Sequence, residues 1–590
     1  MAASEIAAAA PRRVRWAPAL LAAMLGLGGW NGASLAQTGQ SSAILLASQA
    51  EGTPIGRVDV VLVRGSGNAA RDGAIIARLK TALAGLEGRS FRQTLIEGQL
   101  SGPRARMGPG RIDYRLVEAV AAGGLVLRVE VDTVSASPGA PGRIEGILAG
   151  GGTAAIPTLY RDGRSYLTTI LAGGFGVYSD ANPWFGRPDR FTLGSPIARR
   201  RPGSQPAWTE GYIEAGIGGA TQLGDSPFYA FGAITSMTSW SYGQDIYRDD
   251  PRSLTAIEKA YAGLLYVDPE TGHSFSLSAG RQNFTLNDGF LIHAVRGSGN
   301  VGPRGATYLG PRLANEFSVL ADARYGPWAF KAFYIDPSEL AAIGSRSIYA
   351  GGNLRYAFTP DLSLDVSVIA VPRSTSTYVV PGGGRLRREG LTTLAGHALW
   401  KRAFGVEGLW IAGELAHQSH GSFAMSAWAG YGVIGYRAHE LPWSPSLSYR
   451  YSHATGDNPG TSRYERFDQL LTAGLGDWVQ GINFGKITTN ANLAVHRLQF
   501  NVTPRPELNL TLDWHFLQAP QRNNLGGNPA LAQLSSNNIG QEFTVSARWA
   551  FSRNFFFQGV ASLAVPGKAL RDIGATKRWS TFQASLYWTV

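Results

Sequence analysis

LNLTLDWHFLQ, Leu508 to Gln518, is the stretch whose reading decides the fold. Leu508, Leu510, Leu512, Trp514 and Phe516 alternate with Asn509, Thr511, Asp513 and His515. A period of two sends alternate side chains to opposite faces of a β-strand, so one face meets an apolar medium and the other a polar one. A protein core on the apolar side makes a soluble β-protein. Lipid on that side lets the polar face line a water-filled bore.

Similar segments follow one another from about Tyr166 to Val590. Among them are FYAFGAITSMTSW, EFSVLADARY, SIYAGGNLRYAF, LSLDVSVIAV, LWIAGELAHQ, EFTVSARWAF and STFQASLYWTV, with polar or Gly/Pro-rich loops such as HAVRGSGNVGPRG between them. The chain holds roughly 16 to 20 such segments, a number that suits a closed membrane barrel. Closure removes the unpaired edges that otherwise aggregate. Trp514, Phe516, Trp549, Phe551, Phe582 and Trp588 fall on the apolar faces near segment ends, as interfacial girdles require. The expectation is a mainly β chain with a transmembrane antiparallel barrel of about 18 strands over residues 166–590. Phe582, Ala584, Leu586, Trp588 and Val590 alternate to the last residue and resemble the C-terminal strand signal for barrel insertion, with Val standing where Phe is most familiar.

Composition agrees. Gly at 75, Phe at 25, Tyr at 22 and Trp at 15 are high in 590 residues, and charged residues are only 16%. Mean hydropathy is -0.07, and beyond the N-terminus no apolar run reaches the ~18 residues of a helical span. Arg12, Arg13 and Arg15 precede APALLAAMLGLGG and then ASLAQ, which reads as a signal peptide, residues 1–36, cleaved after Ala36. The alternative, a membrane anchor, has an apolar run of only about 13 residues, too short to span. The chain has no cysteine, which excludes thiol catalysis and Cys-based metal sites although an exported compartment permits disulfides. Net charge is +12, or +10 once Arg12, Arg13, Arg15 and Glu5 leave with the signal segment. That balance suits anionic headgroups or an acidic polymer better than nucleic acid, or simply reflects a basic proteome.

Ahead of the barrel, GRVDVVLV alternates as a strand and AARDGAIIARLKTALAGL has helical spacing. SFRQTLIEGQL opens like a second helix with Ser90 as its N-cap, and GRIDYRLVEAV and GLVLRVEVDTV alternate about a turn at Gly123-Gly124. The order over residues 56–134 is β-α-α-β-β. LAGLEGRSF and PGRIDYRLVE resemble a polypeptide-transport-associated (POTRA) domain, the periplasmic module that precedes barrels of outer-membrane assembly and two-partner secretion. That resemblance implies a periplasmic domain and a protein partner bound through residues 56–134 by strand addition. The alternative is a capping or plug domain with no partner. Residues 135–163, rich in Gly, Pro and Ala, read as a linker.

Signs of chemistry are sparse. RGSGNAA, Arg64 to Ala70, mimics a G-x-G-x-x-A dinucleotide loop, yet no acidic residue ends a second parallel strand some ~20 positions on. VRGSGN recurs at Val295 to Asn300. Of nine histidines, His417 and His420 lie closest, with no carboxylate in a metal-ligand frame, and read as a solvated turn. There is no H-E-x-x-H and no G-x-S-x-G, so the expectation is no enzyme, no cofactor and no metal. Turning the polar face inward points Arg324, Arg355, Arg450 and Arg548 at the bore, with Lys331 and Arg497 on segments that break the alternation. Guanidinium groups in a narrow aqueous bore concentrate anions. The same parity turns Glu316, Asp322, Asp365, Glu414, Asp513 and Glu542 inward, so mutual neutralisation across strands is the alternative.

SLSAGRQNFTLNDGFLIH (Ser276 to His293), YGPWAFKAFYIDP (Tyr325 to Pro337), YRYSHATGD (Tyr449 to Asp457), RFDQLLTAG (Arg466 to Gly474) and NLAVHRLQFNVTPRPELNLTLDWHFLQA (Asn492 to Ala519) resemble the alginate export family of outer-membrane barrels. The resemblance implies a monomeric barrel in outer-membrane lipid that lets a polysaccharide diffuse through a polar lumen. Its type member lacks a β-α-α-β-β module. Translocation barrels that carry one have a V-R-G-aromatic motif in a late loop, whereas Val295-Arg296-Gly297 is followed by Ser298 and lies early. The expected function is passive export of a secreted anionic exopolysaccharide. A two-partner-secretion translocator and a substrate-specific nutrient-uptake porin are the alternatives.

Overall fold

The computed structural model describes residues 50 and 52–589, except 108–110, 120–123, 134–142, 149–151, 162–163, 194, 196–197, 199–201, 269, 294–301, 340–343, 473–477, 506 and 552–554. The signal segment, the Gly123-Gly124 turn and the Val295–Ser298 motif lie wholly or partly outside the described residues.

The N-terminal region has the expected order: β1 (Ile55–Arg64), α1 (Ala69–Leu83), α2 (Gln93–Arg106), β2 (Arg111–Ala119) and β3 (Gly124–Asp132). The sheet order is β1-β3-β2, with β1 parallel and β2 antiparallel to β3. Leu83, Phe91, Leu100, Tyr114, Leu127 and Val129 are fully buried and give it a core of its own. One expectation fails at α2, which starts at Gln93 behind an Arg92 N-cap that makes no side-chain cap. Ser90 is not that cap, because its backbone bridges to Pro54.

The Gly/Pro/Ala-rich stretch read as a linker contains an antiparallel hairpin, β4 (Arg143–Leu148) and β5 (Gly152–Arg161). The end of β5 pairs with the start of β6 (Ser165–Ala181), where the barrel begins. Low apolar content made this segment look irregular, but backbone pairing to an existing strand needs no apolar side chains.

The wall continues through β7 (Ala207–Gln222), β8 (Phe228–Gly243), β9 (Arg252–Val267), β10 (Ser274–Arg281), β11 (Phe317–Tyr325), β12 (Trp328–Asp336), β13 (Ile348–Thr359) and β14 (Leu362–Arg373). A small hairpin, β15 (Thr377–Val379) and β16 (Arg385–Arg387), stands apart in a loop. Then follow β17 (Leu391–Lys401), β18 (Leu409–His420), β19 (Ala427–Arg437), β20 (Ser446–Ala454), β21 (Leu493–Arg505), β22 (Leu508–Gln518), β23 (Asn538–Trp549), β24 (Phe555–Pro566) and β25 (Trp579–Thr589). Each barrel strand pairs antiparallel with the next, and β25 returns to β6, closing an 18-strand barrel. At the seam a Cβ on Gly173 would lie 2.5 Å from the Trp588 indole, so only glycine lets the ring lie flat across β6.

The zip of β22 is realised: Leu512 is 47% exposed, whereas Asn509, Asp513 and His515 are buried inside. Trp549, Phe551 and Phe582 are exposed on the outer wall, and Trp549, Phe551 and Phe555 form a ring cluster at 5.3 and 6.0 Å. An apolar band flanked by aromatics is what a lipid-facing barrel wall needs. Among the described residues no helix is long and apolar enough to cross a membrane, so crossing falls to the strands.

The two rims differ. Turns such as Gly326-Pro327 and Pro360-Asp361 occupy one end, and Gly326 has the positive φ, +54°, of a tight turn. The other end carries long connections, above all 282–316 and 455–492. Described residues of both bond to inward-facing carboxylates of the wall.

Candidate functional site

Wall charges are largely paired across strands. Lys331 Nζ lies 2.7 Å from Asp322 Oδ1, and Arg497 Nε donates to Asp513 Oδ1 at 2.7 Å. Arg355 Nε donates to Asp365 Oδ1 at 2.7 Å, while the other Asp365 oxygen meets His397 Nδ1 at 3.1 Å. The Arg450 guanidinium lies 4.2 Å above the Trp478 ring, a cation–π contact. Arg548 is half-buried, in register with Asn509 and Gln558. Asp322, Asp365, Glu414, Asp513 and Glu542 occupy inward positions. Glu316 does not: it stands just outside β11, its side chain 62% exposed, paired with Arg281.

Three inward carboxylates hold the two long loops by accepting backbone N–H groups. Glu542 receives Ile482 N at 2.6 Å, Asn483 N at 3.1 Å and Phe484 N at 3.0 Å, with the Ser562 hydroxyl at 2.8 Å. Glu258 receives Leu313 N and Ala314 N at 2.8 and 3.0 Å, and Glu210 receives Tyr308 N and Leu309 N at 2.7 and 3.1 Å. The loops are also tied to each other. Ile292 and Leu471 form a parallel bridge and Trp478 Nε1 donates to Asp288 O at 3.1 Å, while buried Arg388, in the connection before β17, forks onto Asp468 at 2.6 and 2.7 Å. Described residues of both loops share one buried cluster with inner-wall residues such as Tyr431 and Phe333.

At the short-turn end the N-terminal domain enters the same lumen. Leu95 of α2 joins a buried cluster with Ala220, Phe231, Tyr261 and Leu265 of the inner wall, and Arg92 lies 4.7 Å over the Tyr261 ring. Glu87 Oε2 is 3.6 Å from Arg324 Nη2. Arg89, 5% exposed, donates Nε to Gly85 O at 2.6 Å. Burial pushes its guanidinium down to about 10 while the charge of Asp322 pulls it up, so it remains cationic at neutral pH. Gly52, at φ +84°, presses against the loop residue Asn283, where an added Cβ would lie 2.5 Å away.

The RGSGNAA loop is closed upon itself. Ser66 N and Oγ donate to Asp72 at 2.9 and 2.8 Å, Thr133 Oγ1 donates to it at 2.8 Å, and Asn68 Oδ1 accepts Arg71 N at the start of α1. Burial opposes ionisation of Asp72, but these bonds outweigh it and hold the carboxyl below its usual range. An internal carboxylate thus takes the amide that a phosphate would need. His417 Nε2 lies 3.1 Å from Ser426 Oγ and its ring 4.4 Å from Trp428, while His420 stacks on Phe423 at 4.1 Å. Among the described residues no group of three His, Asp or Glu side chains is arranged to hold a metal.

Of the six cations singled out in the sequence, Arg324, Lys331 and Arg355 converge on one cavity of about 400 Å³ between the barrel wall and Glu87. Arg450 and Arg497 sit in register on adjacent strands elsewhere, and Arg548 stands apart on β23. Sequence reasoning missed Lys401 and His397, which line the same cavity. Extending the alternation along TTLAGHALWK would have pointed both inward. Nothing local in the sequence marks Glu87, Arg89 and Arg92 as lumen residues, because their position depends on how the domain docks.

The barrel is similar in fold to outer membrane protein opdK from Pseudomonas aeruginosa (10% identity, TM-score 0.44, covering 72% of this chain and 98% of that one). It is likewise similar to Pseudomonas aeruginosa OccK5 (OpdH) (9%, 0.43, 72% and 98%) and to Acinetobacter baumannii OccAB1 (10%, 0.43, 72% and 96%). A comparison with curated proteins gives no match. The family model described as "Alginate export" matches residues 217–582, from within β7 to within β25. With its closed, aromatic-girdled barrel, this chain is an outer-membrane channel protein, and it belongs to the alginate export family.

Proposed function

We propose that the protein passively exports a secreted anionic exopolysaccharide through the barrel lumen, without chemistry and without a cofactor. The observation that carries this reading is the group Arg324, Lys331, Arg355 and Lys401 around a single cavity at the short-turn mouth, in a barrel of the alginate export family. Asp322, Asp365 and, while the N-terminal domain is seated, Glu87 each pair with one of these cations, so the cavity holds acidic sugars only weakly. Release matters as much as capture in a conduit. On this reading the short-turn rim and the N-terminal domain face the periplasm.

The β-α-α-β-β order and the β1-β3-β2 sheet support a POTRA-like domain that engages a periplasmic partner. Both sheet edges, β1 and β2, are bonded within that sheet on one side only, to β3, which favours strand addition. The translocator reading draws on this same observation and predicts that loss of the protein strands a large secreted polypeptide in the periplasm. The uptake-porin reading draws on the paired wall charges and predicts inward flux of small solutes.

Planar-bilayer recordings test the proposal. Oligouronates are expected to block the wild-type current more than neutral oligosaccharides of equal length, and Arg355→Glu with Lys401→Glu is expected to abolish that preference. Equal block by neutral and acidic oligomers in the wild type would overturn the reading.

A further inference from the structure

We infer that the N-terminal α/β domain is a displaceable plug: it closes the short-turn mouth by seating α2 against the inner wall, and the channel conducts fully when the domain withdraws as a body. The inference rests on the channel reading above but not on the identity of the cargo.

Three observations support it. First, the seat is specific. Leu95 is inserted among Ala220, Phe231 and Leu265, and at Gly98 the helix backbone comes so close that an added Cβ would lie 2.7 Å from Ala220 Cβ. Second, the domain carries its own core through Phe91, Leu100, Tyr114 and Leu127, so it can leave without unfolding. Third, the seated state carries an unfavourable element. The two terminal nitrogens of Arg89 are buried and meet no protein acceptor, and withdrawal would return them to water. A well-packed but partly frustrated contact is what a gate requires, in contrast to a permanent interdomain interface.

The plug also competes with cargo. Arg324 pairs with Glu87 while the domain is seated, and Arg324 lines the cavity proposed for acidic sugars. Seating and full access to that arginine therefore exclude each other.

The test uses the full chain, which has no native cysteine. A Cβ at Gly85 lies 3.4 Å from Ser274 Cβ on β10, close to the roughly 3.5–4.5 Å of a disulfide, so Gly85→Cys with Ser274→Cys can lock the domain in place. In planar bilayers the oxidised double variant, its cross-link confirmed by mass, is expected to lose at least about tenfold in open probability, with recovery in dithiothreitol. Leu95→Lys, which puts a charge into the apolar seat, is expected to raise open probability several-fold over the wild type. A cross-linked protein that conducts like its reduced form overturns the plug, as does a folded Leu95→Lys protein with unchanged open probability. Ion current reads the gate whatever the cargo, whereas block by oligouronates reads the cargo whatever the gate, so either proposal can fail alone.

Discussion

Two parts of the same bore are filled in different ways. Toward the long-loop end, segments 282–316 and 455–492 are held by Glu210, Glu258 and Glu542, each accepting several backbone N–H groups, and by the buried Arg388–Asp468 fork. At the short-turn end the N-terminal domain is held by side chains: one leucine in an apolar recess, one cation over a ring and a loose ion pair at 3.6 Å. The first arrangement fixes the backbone of a chain already tethered at both ends. The second fixes only the surface of a domain through a few side chains. A constriction that shapes the pore needs the former, and a stopper that must move needs the latter.

The largest effect that could break this contrast is at the fork. Asp468→Ala leaves Arg388 buried without its carboxylate, at a cost of about 4 kcal/mol to the local structure. Hydrogen exchange should then show protection of the Leu470 and Leu471 amides falling by about a thousandfold, with the barrel strands unchanged. If that protection is unaltered, the loops are not held as described. Glu542→Ala follows, expected to cost about 3 kcal/mol because three backbone N–H groups lose their acceptor. Its readout is exchange at Ile482 to Phe484, with Glu542→Gln intermediate.

A smaller change of opposite sign is expected at the mouth. Arg89→Met removes a buried, under-satisfied cation and should stabilise the seated domain by about 1–2 kcal/mol. Protease access to Leu95 and its neighbours reports it, and faster cleavage in the variant would contradict the account. The smallest effect at neutral pH concerns Asp72. Its folded carboxyl titrates below the ordinary value, so its contribution is complete above that value and is lost as pH falls through the folded one. Proteolytic susceptibility of residues 64–86 should rise between pH 5 and pH 3 in the wild type, and Asp72→Asn should flatten that dependence.

Much of the wall was legible in the chain because a strand writes its environment every second residue. LNLTLDWHFLQ gives its lipid and lumen faces without any knowledge of its neighbours, and the same parity found Asp322, Asp365 and Asp513 with Arg355, whereas the partners Lys331 and Arg497 lie on segments that break the alternation. Parity failed at Glu316, which lies beyond the end of its strand, and capping logic failed at Ser90, whose backbone was claimed by Pro54. Neither failure has a local signal.

The sequence by itself determined the barrel, its strand number to within a few, the β-α-α-β-β region before it and most of the charged side chains that face the bore, since all of these follow from periodicity and side-chain chemistry close along the chain. Only the tertiary structure decided that two loops fold into the bore, that Arg324, Lys331, Arg355 and Lys401 share one cavity, and that α2 sits in the mouth with Glu87 on Arg324. Those contacts join residues up to some 240 positions apart, through loops whose polar composition is equally at home in water, and no local pattern encodes which of the two they choose.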